Sequence, residues 1–128
     1  MVVPLRQKYM RVQVRYAGKT GMPVGIFGAC WHLMRGTMRQ DCLSEEDKET
    51  FLSVEAWFEE HLPNPPFYED GNTIRGITWF KTDASAEMVG CLEPLLRLLE
   101  KYGVPYDVVF TNHPGPIVYE DEFQVGVV

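Results

Sequence analysis

The sequence predicts an α+β, two-layer domain: a mixed or antiparallel sheet of four to five strands with three helices packed mainly on one face. Two observations carry that prediction. Residues 10–16 alternate strictly between apolar and polar, the pattern of a half-buried strand. The predicted elements then follow in the order strand, helix, helix, strand, helix, strand, strand, and a sheet with helices on one face buries every apolar stripe in that order. A three-layer α/β sandwich is the rival and needs helices on both faces.

In the first strand Met10, Val12, Val14 and Tyr16 point one way, and Arg11, Gln13 and Arg15 point the other. Residues 17–21 form a turn. Pro23 suits the first turn of a helix, because its missing N–H costs nothing there. That helix covers 24–35, with Val24, Phe27, Trp31 and Met34 on one side and Gly36 closing it. Gly25 and Gly28 weaken it and so imply close packing on a neighbour.

Ser44-Glu-Glu-Asp47 is a strong helix start: the serine side chain can accept the N–H at Asp47, and three acids sit at the positive end of the dipole. This second helix runs to about residue 61, with Phe51, Val54, Trp57 and Phe58 as its core stripe. Pro63-Asn-Pro-Pro66 ends it and begins a stiff extended connection. Asp70-Gly71-Asn72 is a turn. Residues 74–81 read as an interior strand, since Ile77 and Trp79 on one face and Phe80 on the other leave neither face polar.

Asp83 or Ser85 caps a third helix running to 102, with Met88, Leu92, Leu95, Leu96 and Leu99 at helical spacing. Pro94 inside it predicts a kink near Gly90. Gly103 and then Pro105 end it. Strands follow at 107–111 and 117–119, around a turn at 112–116. Residues 123–128 either continue the last strand after a bulge or form a fifth one, and their apolar character predicts that they are tied into the fold.

A chain of 128 residues fits one domain, and 45% hydrophobic with 23% charged residues is ordinary for a globular protein. Twelve basic against eighteen acidic residues give a net charge of −6, which argues against binding nucleic acid through its phosphates. Cys30, Cys42 and Cys91 are an odd number at wide spacing, so a reduced compartment is expected rather than a disulfide framework. No apolar run marks a signal peptide or a membrane span, and the expected location is the cytoplasm.

The stretch 68–81 is densest in functional groups. Tyr68, Asp70, Asn72, Arg75 and Lys81 are candidate ligand-binding residues, and Arg beside Trp79 suits an anionic or planar ligand. The plainer reading is turn chemistry, a core tryptophan and a solvated strand end. His113, in a proline-rich turn, is a candidate base near neutral pH. Glu120-Asp121-Glu122 could offer oxygen ligands to a hard cation, but on a strand only Glu120 and Glu122 share a side. A turn that keeps a sheet edge from pairing with other chains explains the acids equally well. No cofactor or metal site is expected. Cys30 and His32 are two apart on a helix and do not converge. Gly18-Lys19-Thr20 lacks the upstream glycine of a phosphate loop, and there is no Gly-x-Ser-x-Gly.

From Met10 onward the chain resembles a family of small bacterial proteins. The matching pieces include Trp57-Phe-Glu-Glu-His-Leu-Pro, Ile77-Thr-Trp-Phe-Lys and, most distinctively, Pro114-Gly-Pro-Ile-Val-Tyr-Glu-Asp-Glu-Phe-Gln-Val. The resemblance implies a bacterial, cytoplasmic origin and brings no activity or catalytic residue with it.

Three functions follow as expectations, and whether the chain is an enzyme stays open among them. The first is a non-catalytic protein-interaction or regulatory module that binds a partner protein or itself through an exposed apolar patch. The second is a small-molecule binder or enzyme with a pocket between 68–81 and 113–122, where Arg75, Lys81, His113, Glu120 and Glu122 supply polar groups. The third, ranked last, is an acidic inhibitor that mimics nucleic acid.

Overall fold

The computed structural model describes residues 7–18, 21–35 and 43–128. It is the expected α+β arrangement, with a six-stranded sheet in which every pairing is antiparallel. The strands are β1 (Tyr9–Ala17), β2 (Pro23–Gly25), β3 (Ile77–Lys81), β4 (Tyr106–Thr111), β5 (Ile117–Glu120) and β6 (Gln124–Val127). The helices are α1 (Ile26–Arg35), α2 (Glu45–His61), the single turn α3 (Pro66–Glu69), α4 (Ala86–Gly90) and α5 (Glu93–Lys101).

β1 organises one half of the sheet. One of its edges carries β4 from Tyr9 to Val14. The other is shared: β3 pairs at Tyr9 and Met10, and β2 pairs at Gln13 and Ala17. The sheet therefore forks along β1. β6 lies between β3 and β5, so residues 124–127 form an interior strand rather than an extension of β5. The run 120–123 is the hairpin turn that makes this possible. Asp121 organises it: Oδ1 accepts the N–H groups of Phe123 (2.8 Å) and Gln124 (3.1 Å), and Oδ2 accepts the Tyr119 hydroxyl (2.7 Å).

Two apolar clusters flank the sheet. On one face Met10, Val12 and Val14 meet Ile26, Ala29, Cys30 and Leu33 of α1, Phe51 and Phe58 of α2, and Leu95, Leu98 and Leu99 of α5. On the other, Trp79, Val125 and Val127 form a smaller cluster with Tyr9, Ile77 and Val109. Phe80 packs toward the first and Trp79 toward the second, as an interior strand requires. Among the described residues no helix is long and apolar enough to cross a membrane.

Local signals placed α2 correctly. Ser44 Oγ accepts the Asp47 N–H at 3.2 Å, and Leu62 closes the helix. Asp47 also ties α2 to α5, because its Oδ2 accepts Lys101 Nζ (2.8 Å) and the Tyr102 hydroxyl (2.6 Å). Those two bonds, the Lys101 bond first, hold its carboxyl below the usual aspartate range.

Elsewhere tertiary pairing overrides local preference. Pro23 starts strand β2 instead of a helix, and α1 begins at Ile26. The residues fully buried on α1 are Ile26, Ala29, Cys30 and Leu33, while Val24, Phe27, Trp31 and Met34 lie half-buried at their edge. The proline-rich connection contains the short α3, with Pro66 in its first turn. The third predicted helix is two helices, α4 and α5, broken at Cys91–Leu92 because Pro94 must start a new helix. The helix stop at Gly36 and the thiol of Cys42 lie outside the described residues.

A glycine slot anchors α3 on the sheet. The Phe67 ring lies against Gly76 and Gly126, and a Cβ at either would come within 2.7 Å or 2.5 Å of it. Neither position could carry a side chain with Phe67 in place. Gly126→Ala is therefore expected to destabilise the fold by about 1–3 kcal/mol through overpacking. Urea denaturation measures this; a change within about 0.5 kcal/mol, the usual range for a surface substitution, would show that the ring is not held in the slot.

Candidate functional site

The fork in the sheet is filled by one side chain. Arg11 is only 8% exposed. Its Nη1 donates to the carbonyl of Thr78 on β3 (2.9 Å), its Nη2 to the carbonyl of Pro23 on β2 (3.0 Å), and its Nε to Gln13 Oε1 (3.1 Å). Gly25 leaves it room, since a Cβ at that position would sit 3.3 Å from Nη2. A guanidinium has five N–H donors, so two remain unused by these bonds. Among the described residues no carboxylate is within ion-pair distance of it. Burial lowers its pKa from the ordinary value, opposed by the nearby Tyr68 hydroxyl. Arginine still remains charged at neutral pH.

A cavity of about 760 Å³ opens onto this buried charge. Its walls come from β2 and the start of α1, the last two turns of α2, the proline-rich connection, α3 and the start of β3. Most of the lining is apolar, including Val24, Phe27, Phe58, Leu62, Ile77 and Phe80. Beside Arg11, the Tyr68 hydroxyl and Thr78 Oγ1 lie 3.4 Å apart. A mostly apolar cleft with a few convergent polar groups is the usual form of a small-molecule site.

The connection that bears Tyr68 is held firmly. The Asn72 side chain bonds Gly76 twice, accepting its N–H (2.7 Å) and donating to its carbonyl (2.8 Å). Asn72 and Arg75 adopt φ of 53° and 58°, the left-handed region that arginine rarely occupies. Such backbone persists where surroundings over-determine it. Here the Asn72 clamp and the seated Phe67 ring do so. Gln124, 3% exposed, pins the connection at its other end by donating from Nε2 to the Pro63 carbonyl at 2.6 Å.

The far wall carries two carboxylates, Glu55 and Glu59, one helical turn apart on α2. Glu55 Oε2 is buried and has no hydrogen-bond partner among the described residues. Burial first, and then the neighbouring Glu59, raise the Glu55 pKa, partly offset by Trp31 and Arg35. Glu55 in turn adds to the effect of burial on Cys30, whose thiol is pushed up to about 12 and stays protonated.

The residues singled out from sequence separate into groups. Tyr68 and Asn72 line the cavity. Lys81 and Glu120 face each other across β6 as an ion pair at 2.6 Å. Asp70, Arg75, His113 and Glu122 are exposed and are not part of the cavity lining. The 68–81 and 113–122 segments flank β6, and the cavity lies on the α1–α2 side of the first of them. Arg11, Glu55 and Glu59 were not singled out. In sequence Arg11 is indistinguishable from Arg15, which is exposed and pairs with Asp107 at 3.1 Å. Comparison of the chain with family models, curated proteins and solved structures finds no match.

The raised Glu55 pKa has a definite sign for stability. The folded protein holds this proton to higher pH than the unfolded chain does. Stability thus falls as pH rises from the ordinary glutamate range, about 4.3, through the raised value, and at neutral pH the carboxylate is a net cost. Glu55→Gln is expected to melt above wild type at about pH 7, with the gap closing by about pH 4. A variant that melts no higher at neutral pH would contradict this account.

Proposed function

We propose that the protein binds a small organic carboxylate in the cavity at the sheet fork, with Arg11 as the anion receptor. The single observation that carries the reading is a buried guanidinium, facing a cavity, with no carboxylate partner among the described residues. Burying a lone charge costs several kcal/mol, and a hydrogen-bonded counter-ion offsets that cost. The guanidinium donors not taken by Thr78, Pro23 and Gln13 suit the oxygens of a carboxylate. The Tyr68 hydroxyl, whose oxygen accepts from Arg11, stands beside them and has its own O–H to give.

The rest of the lining favours binding over covalent chemistry. Among the described residues it contains no serine, cysteine, histidine or lysine, so the usual nucleophile–base pairs have no members here. A phosphate dianion suits the site less well, since Arg11 is the lone cation among the described lining residues and two carboxylates share that lining.

A second reading, a protein-interaction module of a bacterial cytoplasmic system, is favoured by one observation. Val108 and Phe110 are 43% and 49% exposed on β4, a strand paired on one side to β1. Gel filtration and retention of a partner address it; a strict monomer that retains nothing would count against it.

Hexanoate is a suitable probe for the first reading. Titration followed by amide chemical shifts is expected to saturate, with the largest shifts around Arg11, Tyr68 and Thr78. Arg11→Gln should weaken binding at least tenfold, about 1.4 kcal/mol. Tyr68→Phe, which leaves the fork intact, should weaken it by a smaller factor. Absence of saturable binding up to about 10 mM, weaker than one charge-assisted bond would give, would sink the reading. So would unchanged affinity in both variants.

A further inference from the structure

The cavity carries unmet charge at two ends. At one, Arg11 has donors to spare and its electrostatic neighbour is Tyr68. At the other, Glu55 and the exposed Glu59 make no ion pair with any described residue, and Glu55 Oε2 is buried with no hydrogen-bond partner among the described residues. The two ends do not neutralise each other: neither glutamate contributes to the Arg11 shift, and Arg11 does not contribute to that of Glu55. Both sets of charges line one cavity, which Val24, Phe27, Phe58 and Leu62 also line.

We infer that the ligand is an amino carboxylate whose ammonium and carboxylate are held apart by an apolar chain, the carboxylate meeting Arg11 and the ammonium meeting Glu55 and Glu59. This rests on the carboxylate reading of the Arg11 end and adds the second end. The chemistry follows from what each end lacks. Two carboxylates a helical turn apart repel, and a cation between them relieves that repulsion. An ammonium has three N–H donors and can serve Glu55 Oε2 and Glu59 together. A neutral or purely anionic tail would leave the buried oxygen unsatisfied and meet the field of both acids. The aromatic and aliphatic part of the lining, Val24, Phe27, Phe58 and Leu62, suits methylene groups. A cavity of about 760 Å³ holds such a molecule in full.

Arg35 lies near enough to Glu55 to lower its pKa, but its guanidinium sits over the Trp31 ring, 4.8 Å from the centroid, and does not form an ion pair with either acid. Trp31 likewise favours ionised Glu55 from α1. Among the described residues the charged and titratable groups facing the pair are thus Arg35 and Cys30, both from α1, and neither closes the site.

Calorimetric titration of the full chain with hexanoate and with 6-aminohexanoate separates the two ends. The expected result is that 6-aminohexanoate binds at least tenfold more tightly than hexanoate. The double substitution Glu55→Gln with Glu59→Gln keeps side-chain size and leaves Arg11 untouched. It should abolish that preference while leaving hexanoate affinity within about twofold of wild type, a margin well inside one tenfold step. Equal or weaker binding of the amino compound by wild type would overturn the inference and leave the carboxylate reading standing. A preference that survives the double substitution would overturn it as well. Failure of both compounds to bind would remove the carboxylate reading, and this inference with it.

Discussion

Arg11 holds together a sheet that its backbone alone does not close. Between the pairing of Met10 with Phe80 and that of Gln13 with Gly25, the edge of β1 has no strand beside it. The guanidinium spans that gap and gives hydrogen bonds to a carbonyl on each side. Leucine or valine would leave those carbonyls without a donor, and lysine could not present a planar fork to both. The fork separates β2 from β3, and the cavity occupies the room this makes beside α1 and α2. The charge that closes the sheet is thereby the charge that faces the cavity, so the sheet and the cavity cannot be varied independently at this position.

The connection from Pro63 to Gly76 depends on the same arrangement. It is tied to the sheet at three places: Gln124 at Pro63, the glycine slot under Phe67, and the Asn72 clamp on Gly76. Tyr68 follows Phe67 directly, so the depth of the Phe67 ring fixes where the Tyr68 hydroxyl stands relative to Arg11 and Thr78. The positive φ values at Asn72 and Arg75 are the local cost of that placement.

What could be read in the sequence was what neighbours in the chain decide. The Ser44 cap, the α2 stripe at Phe51 and Phe58, the alternation of β1 and the leucines of α5 are short-range patterns, and they survive in the fold. β2 was invisible because three residues beginning with proline become a strand only when β1 lies beside them. Arg11 was read as outward-facing because alternation reports which side of a strand a residue occupies, not whether another strand leaves a gap there. The candidate site was half legible for the same reason. Tyr68 and Asn72 stood out in a dense turn, whereas Glu55 and Glu59 looked like the solvated side of an amphipathic helix. The acidic run 120–122 was recognisable as unusual, but its use depended on where the next strand goes. That strand turns back, so Asp121 caps a hairpin and Glu120 reaches Lys81.

The place of β6 also has a consequence in time. A ribosome makes Gln124–Val127 after every strand that they touch. The helix-covered cluster draws on residues between Met10 and Val104 and has all its fully buried members before then. The opposite cluster cannot form, because Val125 and Val127 are two of its three buried residues. Until β6 is in place, β3 and β5 have facing open edges and Trp79 is uncovered, the state in which strands of different chains most readily join. Insertion of β6 ends that exposure from inside the sheet, by filling the gap rather than by shielding it.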